Sequence, residues 1–159
     1  MADQAPSQAD DLPPCLIYID KEGRMFHQGK EMTHQGVLTL LKEHITLDDN
    51  GRYIIELEGQ KCLLEVEDTP LVVRRAAAEA GAGGRFRLSL SDGTEERLDP
   101  ELLWVSEENV IYTKVRGGII PARFLRPAYY QIAEKIEETK NGFGLRVGDR
   151  VMPLLLGRP

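Results

Sequence analysis

The sequence has few of the residues that commonly mark metal sites or covalent cross-links. It contains two cysteines, three histidines and one tryptophan among 159 residues. Cys15 and Cys62 lie far apart and form no Cys-x-x-Cys pair, so the pattern favours two reduced cysteines over a disulfide or a metal site. His27, His34 and His44 lack the spacing of zinc ligands. The sequence therefore predicts no bound metal ion.

Long apolar runs and a positive charge balance are also missing. No run approaches the ~20 apolar residues of a membrane-spanning helix, so we expect neither an integral membrane protein nor a membrane partner. Residues 1–14 contain no basic segment and no apolar segment of the secretory kind, which predicts a cytoplasmic location. The formal net charge of −6 argues against nucleic acid as a partner, because neutralising phosphates requires clustered Lys and Arg.

The motifs of nucleotide binding and acyl transfer are absent as well. The chain has no Walker loop, and the GAGG stretch at 81–84 lacks the GxGxxG context between a strand and a helix. It has no Gly-x-Ser-x-Gly elbow either. The sequence therefore predicts no cofactor and no catalytic residue.

The residues that are present are typical of a globular α+β chain. With 42% apolar and 29% charged residues, the chain has enough apolar side chains to bury a core. Residues 1–13 are polar and proline-rich, which predicts a disordered tail. Apolar residues recur at helical spacing in two stretches, 33–45 and 127–140, which predicts one main helix in each half of the chain. The residues expected to be buried along these helices are Leu38, Leu41, Ile132 and Ile136.

Alternating residues predict an antiparallel hairpin in the first half. A turn at Glu58-Gly59 places Ile55 opposite Cys62 and Glu56 opposite Lys61. This register pairs opposite charges on one face and apolar groups on the other.

A second hairpin is predicted around Gly117-Gly118. This turn places Tyr112 opposite Arg123 and Val115 opposite Ile120. One face of the hairpin is then apolar, and the other carries Tyr112, Lys114, Arg116 and Arg123. Pro121 suggests a free strand edge at its position, since proline removes a hydrogen-bond donor from the ladder.

The GAGG stretch divides the chain into two halves, residues 14–80 and 81–159. Each half is predicted to form a small antiparallel sheet with one main helix. Tyr53 and Gly59 match Tyr112 and Gly118 at one offset, which suggests a degenerate tandem repeat. Since hairpins with glycine turns are common, an unrelated pair of hairpins is the alternative.

Three blocks of the sequence resemble those of the bacterial Domain of Unknown Function 1285 family. The most specific pieces are Val66-Glu67-Asp68-x-Pro70 and Val115-Arg116-Gly117-Gly118, followed by Arg126-Pro127. The resemblance covers residues 16 to 155. It implies two small α+β halves with repeated structural motifs, no established enzyme activity and a suggested role in signalling. It offers no catalytic residue.

The candidate site consists of the cationic face of the second hairpin and an acidic pair from the first half. Tyr112, Lys114, Arg116 and Arg123 suit a carboxylate or phosphate, because arginine offers a bidentate fork. Glu67 and Asp68 are expected to lie across a cleft from these side chains. Alternatively, the arginines meet Glu65, Glu67 or Asp68 and only bind the two halves together.

Two functions follow from this candidate site. The first is a non-enzymatic binding module, in signalling, for a small anionic ligand or a partner peptide. The alternative is a small hydrolase or lyase that uses Glu67 or Asp68 at the cleft. This alternative requires a carboxylate with a strongly perturbed pKa.

Overall fold

The described part of the chain folds mainly into β-strands, with two α-helices, and belongs to the predicted α+β class. The computed structural model describes residues 12–81 and 83–157. Most of the predicted tail therefore lies outside the described residues. Within them, no helix is long and apolar enough to cross a membrane.

The N-terminal unit contains six strands and the first helix. Its elements are β1 (Pro14–Ile19), β2 (Met25–His27), β3 (Lys30–Glu31), α1 (Gln35–Glu43), β4 (Ile45–Leu47), β5 (Tyr53–Leu57) and β6 (Gln60–Val66). The strands form one sheet in the order β3-β2-β1-β6-β5-β4. The sheet is not wholly antiparallel as predicted, because β1 and β6 run parallel.

Three strands follow, which connect the two units. They are β7 (Leu71–Ala78), β8 (Phe86–Leu90) and β9 (Glu95–Arg97), and a short 3₁₀ turn at Pro100–Leu102 comes after them. β7 pairs with β8 on one side and, in parallel, with a later strand on the other. The chain therefore passes from one sheet to the next at residues 67–70. The predicted boundary at 81–84 instead falls in the turn between β7 and β8.

The C-terminal unit contains the remaining strands and the second helix. Its elements are β10 (Trp104–Val105), β11 (Ile111–Val115), β12 (Ile120–Phe124), α2 (Arg126–Ala133), β13 (Ile136–Thr139), β14 (Gly142–Val147), β15 (Arg150–Pro153) and β16 (Leu155–Leu156). The sheet that includes β7–β9 has the order β16-β10-β11-β12-β7-β8-β9, and β13-β14-β15 form a separate sheet. This larger sheet also departs from the antiparallel prediction, at its β7–β12 and β10–β16 pairs.

The two units share one order of elements: three strands, a helix and then further strands, three in the N-terminal unit and four in the C-terminal unit. In the turn after β1, the Asp20 N–H donates to the Arg24 carbonyl at 3.0 Å, and after β10 the Ser106 N–H donates to the Val110 carbonyl at 2.9 Å. The last strand of each unit then returns in parallel to its first, β6 to β1 and β16 to β10. Three further backbone hydrogen bonds of the N-terminal unit have a counterpart in the C-terminal unit. With the N–H donor first and the carbonyl acceptor second, they are Gly23 to Asp20 and its counterpart Asn109 to Ser106, Glu56 to His44 and its counterpart Arg146 to Lys135, and Glu67 to Ile19 and its counterpart Gly157 to Val105.

The repeat differs from the one that the sequence suggested. Tyr53 lies on β5, after the first helix, whereas Tyr112 lies on β11, before the second. The two tyrosines therefore occupy different places in their units, and the offset that joined them does not relate the repeats. The correspondence of hydrogen bonds relates Asp20 to Ser106 instead.

Both hairpin registers were predicted correctly. Ile55 pairs with Cys62 and Glu56 with Lys61, and Tyr112 pairs with Arg123. β7 pairs with β12 from Ala122 onward, and Pro121, where the free edge was predicted, lies just before this pairing begins.

The two helices lie where they were predicted, but both are shorter than predicted, the second by more. α1 is capped by His34, whose Nδ1 accepts the Val37 N–H at 3.2 Å. α2 was predicted to extend to residue 140 but ends at Ala133. Residues from Ile136 onward pair with β14 instead, so strand pairing outweighs the helical spacing of the sequence.

The core lies between the sheets and the two helices. Of the residues expected to be buried along the helices, Leu38 is buried and Ile132 is fully buried. Leu41 and Ile136 are partly buried against the same core.

Cys15 and Cys62 form a disulfide, contrary to the prediction of two reduced thiols. They lie on the neighbouring strands β1 and β6, with their Cα atoms 4.9 Å apart, within the range that a disulfide bridges. The pairing of β1 with β6 brings these two residues together across a sequence separation of 47. Disulfides are typical of oxidising compartments, and the cytoplasmic location stays a prediction.

Breaking this disulfide is expected to lower the free energy of unfolding by about 2–4 kcal/mol, because the bond restricts the unfolded chain. Urea denaturation with and without a thiol reductant measures the loss. A double variant, Cys15→Ser with Cys62→Ser, provides the control, since the reductant has nothing to act on. An unchanged midpoint for the reduced native protein would contradict the expectation.

Candidate functional site

The predicted site residues divide between two places in the structure. Tyr112 and Arg123 meet Asp68, at the junction of the two units. Arg116 instead faces the first helix. Lys114 lies on β11 opposite Pro121, on the same side of the strand as Tyr112 two residues away. The four residues of the cationic face therefore do not form one surface, because Arg116 lies elsewhere.

Asp68 is held by two side chains of the C-terminal unit. Its Oδ2 accepts hydrogen bonds from the Tyr112 hydroxyl at 2.7 Å and from Arg123 Nη1 at 2.9 Å. The predicted cross-strand pairing explains the contact, because it places both donors side by side. The backbone of Arg123 is also fixed, since its N–H donates to Thr69 Oγ1 at 3.0 Å.

The Tyr112 ring is held in place and its hydroxyl stays protonated. The ring stacks on Trp104 with centroids 5.3 Å apart and planes 11° from parallel. Burial and the hydrogen bond to Asp68 raise the pKa of Tyr112 to about 12. At neutral pH the hydroxyl is therefore a hydrogen-bond donor and not a base.

Arg116 was predicted to share a face with Arg123 but turns away from it. It has a φ of 54° and lies in the turn rather than on the strand. Its Nη1 donates to the Ile45 carbonyl at 2.7 Å, and its Nη2 donates to the Lys42 carbonyl at 2.7 Å and to Asp92 Oδ2 at 2.8 Å. Arg116 therefore joins the second hairpin to the end of α1. The alternative prediction, that the arginines bind the two halves together, named other acceptors.

Asp92 is the buried acceptor of this contact, with 1% of its side chain exposed. Burial alone would raise the pKa of Asp92. Hydrogen bonds from Thr94 and Arg116 outweigh burial and hold the pKa below its usual value. The carboxylate is thus charged and paired at neutral pH.

Glu67 lies apart from Asp68 despite being its neighbour in sequence. Its Oε2 accepts the backbone N–H of Lys21 at 2.6 Å, so it supports the turn after β1. The acidic pair of the sequence prediction therefore has two separate positions.

A cavity of about 730 Å³ lies beside Arg123, between the turn after β1 and the C-terminal unit. We call it the inter-unit cleft. Its charged lining consists of three cations and two carboxylates: Lys21, Arg123, Arg126, Glu22 and Glu108. Its aromatic lining consists of Phe124 on β12 and of Tyr129 and Tyr130 on α2. Asp68 and Tyr112 line a smaller neighbouring cavity of about 430 Å³ instead.

Of the residues that line the cleft, only Arg123 was among the predicted site residues. Arg126 was identified as the start of the second helix, and its position just after the cationic strand was the available signal. Lys21 belongs to the other unit, and no local pattern relates it to Arg126.

Two solved structures are similar to this chain. A DUF1285 family protein from Silicibacter pomeroyi DSS-3 matches with a TM-score of 0.74 and 18% identity, over 98% of this chain and 90% of that protein. A DUF1285 family protein from Shewanella baltica OS155 matches with a TM-score of 0.63 and 20% identity, over 75% of this chain and 91% of that protein. No family model matches the chain, and no curated protein does.

These comparisons bear on the fold. The chain has a fold like that of the DUF1285 family proteins, as the resemblance of its sequence blocks implied. Neither name states an activity, a ligand or a partner.

Proposed function

We propose that the protein is a non-enzymatic binding module whose inter-unit cleft takes a small anionic ligand. The observation that carries this proposal is the convergence of Lys21, Arg123 and Arg126 on one cavity from both units. A cavity of this size lies in the range of small-molecule sites. Binding without conversion suits a role in signalling, and we include that role in the proposal.

The start of α2 adds to the attraction for an anion. Leu125, the N-cap residue, makes no side-chain capping hydrogen bond, and Leu125, Arg126 and Pro127 all line the cleft. Backbone N–H groups at a helix start carry partial positive charge and favour anions. The helix start and the arginine therefore act on the same region.

The two carboxylates of the cleft limit the charge of the ligand. Glu22 and Glu108 line the same cavity, and Asp68 already accepts one hydrogen bond from Arg123. These groups offset much of the cationic charge. A ligand with a single anionic group fits this balance better than a polyanion does.

A thermal-shift titration with acetate, benzoate and inorganic phosphate tests the proposal. A binding anion is expected to raise the unfolding temperature by mass action. Arg126→Gln is expected to abolish this shift while changing the free energy of unfolding by less than about 0.5 kcal/mol, since Arg126 is exposed. Arg75→Gln, an exposed arginine of β7 away from the cleft, is the matched control and should retain the shift.

Arg123 distinguishes ligand binding from a purely structural contact. If Arg123 only joins the units, Arg123→Gln and Asp68→Asn will couple in stability and the double variant will lose less than the sum. If it serves the ligand, Arg123→Gln will fold and lose the shift. Strong coupling together with no anion-induced shift would overturn the proposal.

The hydrolase or lyase alternative has no comparable observation in its favour. Asp68 is engaged by Tyr112 and Arg123, and Glu67 is engaged by the backbone of Lys21.

A further inference from the structure

A second cavity, of about 570 Å³, lies within the C-terminal unit. It opens between β10, β11, α2 and β14, and we call it the apolar cavity. Its apolar lining includes Ile111, Ala133, Ile136, Phe143, Leu154 and Leu156. Phe143 is 51% exposed and Leu156 is 73% exposed, so large apolar side chains stand at its opening.

The corresponding place in the N-terminal unit is filled. Gly23 corresponds to Asn109, and a side chain at Gly23 would meet Val72 of β7 at 2.7 Å. Ile19 and Ile45 of that unit are 0% and 2% exposed. In the C-terminal unit the counterpart of Gly23, Asn109, lines the apolar cavity instead.

The equivalent side chains of the C-terminal unit are less well covered. The correspondence of hydrogen bonds relates Ile19 to Val105, and Ile45 to Ile136. Val105 and Ile136 are only partly buried, and both line the apolar cavity. These positions are therefore buried in the N-terminal unit, whereas in the C-terminal unit they are open to a ligand.

The apolar cavity adjoins the inter-unit cleft. Asn109 and Tyr129 line both, and Asn109 Nδ2 donates to the Tyr129 hydroxyl at 2.9 Å. One hydrogen-bonded pair thus separates a space with cationic walls from a space with apolar walls. A molecule that passes over this pair would place one end in each.

We infer that the ligand of the cleft is an amphipathic carboxylate, with its anionic group near Arg126 and Arg123 and its aliphatic chain in the apolar cavity. This inference rests on the proposed function and specifies the ligand class. Aliphatic walls and a volume of about 570 Å³ suit a medium-length chain, whose burial is favourable in proportion to the apolar area removed from water. A single carboxylate also matches the nearly balanced charge of the cleft.

Calorimetric titration with acetate, hexanoate, octanoate and decanoate tests the inference. We expect one site per chain and about fourfold tighter binding for each methylene added, from the free energy of burying one methylene. Decanol, which has the chain without the charge, is expected to bind more weakly than decanoate.

Two variants show whether the chain lies in the apolar cavity. Ala133→Phe fills the cavity, and we expect it to abolish the gain with chain length while acetate binds as before. Ala77→Phe, at an exposed position of β7 outside the cavity, is the matched control. Leu156→Asp places a charge at the exposed opening, where it does not disturb the core. It should also abolish the gain with chain length, and it provides the test if Ala133→Phe fails to fold.

The outcomes separate this inference from the proposed function. Acetate binding that depends on Arg126, with no gain for longer chains, would overturn the inference and leave the proposed function standing. Equal binding of decanol and decanoate, with no effect of Arg126→Gln, would overturn the proposed function. A gain with chain length that survives both Ala133→Phe and Leu156→Asp would overturn the inference, because the chain would bind elsewhere.

Discussion

Arg116→Met is expected to lower the free energy of unfolding by about 3–5 kcal/mol, since removing one partner of a buried ion pair leaves the other charge unpaired. Asp92, the partner, has 1% of its side chain exposed. The substitution also removes the donors to the Lys42 and Ile45 carbonyls. Urea denaturation of the variant measures the loss.

The pH dependence of this loss identifies Asp92 as its source. Because the folded-state pKa of Asp92 is lowered, its contribution to stability is present above the unfolded-state pKa, near 4. That contribution disappears as the pH falls through the folded-state value. The difference between native protein and variant should therefore narrow below about pH 4.

Arg146→Met is the matched control for Arg116→Met. Arg146 pairs with Glu137 at the surface, where solvent screens the interaction, and its loss should change stability little. Equal effects of the two substitutions would contradict the role assigned to Arg116.

Ile132→Ala is the second substitution with a large expected effect, a loss of about 2–5 kcal/mol. Ile132 lies on α2 and is 0% exposed. Truncating it leaves a cavity that the surrounding sheet and helix fill only in part. Ile119→Ala, at a position 58% exposed, makes the same chemical change at the surface, and its effect should be within about 0.5 kcal/mol. A similar midpoint for both variants would show that α2 does not contribute to the core as described.

Local chemistry explains what could be predicted of this fold. The register of each hairpin depends on a turn and on residues a few positions away, so Tyr112 was placed opposite Arg123 correctly. The start of α2 follows from Pro127, which suits the first turn of a helix. Its end does not follow locally, because the pairing of Ile136 with Leu145 of β14 competes with the helix.

Of the candidate site, the sequence determined the side of the hairpin on which Tyr112 and Arg123 lie together, because strand alternation and turn position are local properties. Only the tertiary structure decided that Asp68 meets them, that Arg116 turns toward Asp92 and that Lys21 faces the same cleft as Arg126. The disulfide between Cys15 and Cys62 was decided in the same way. Each of these contacts joins residues far apart in the chain, and it exists because parallel strand pairs and the packing of two units bring those residues together.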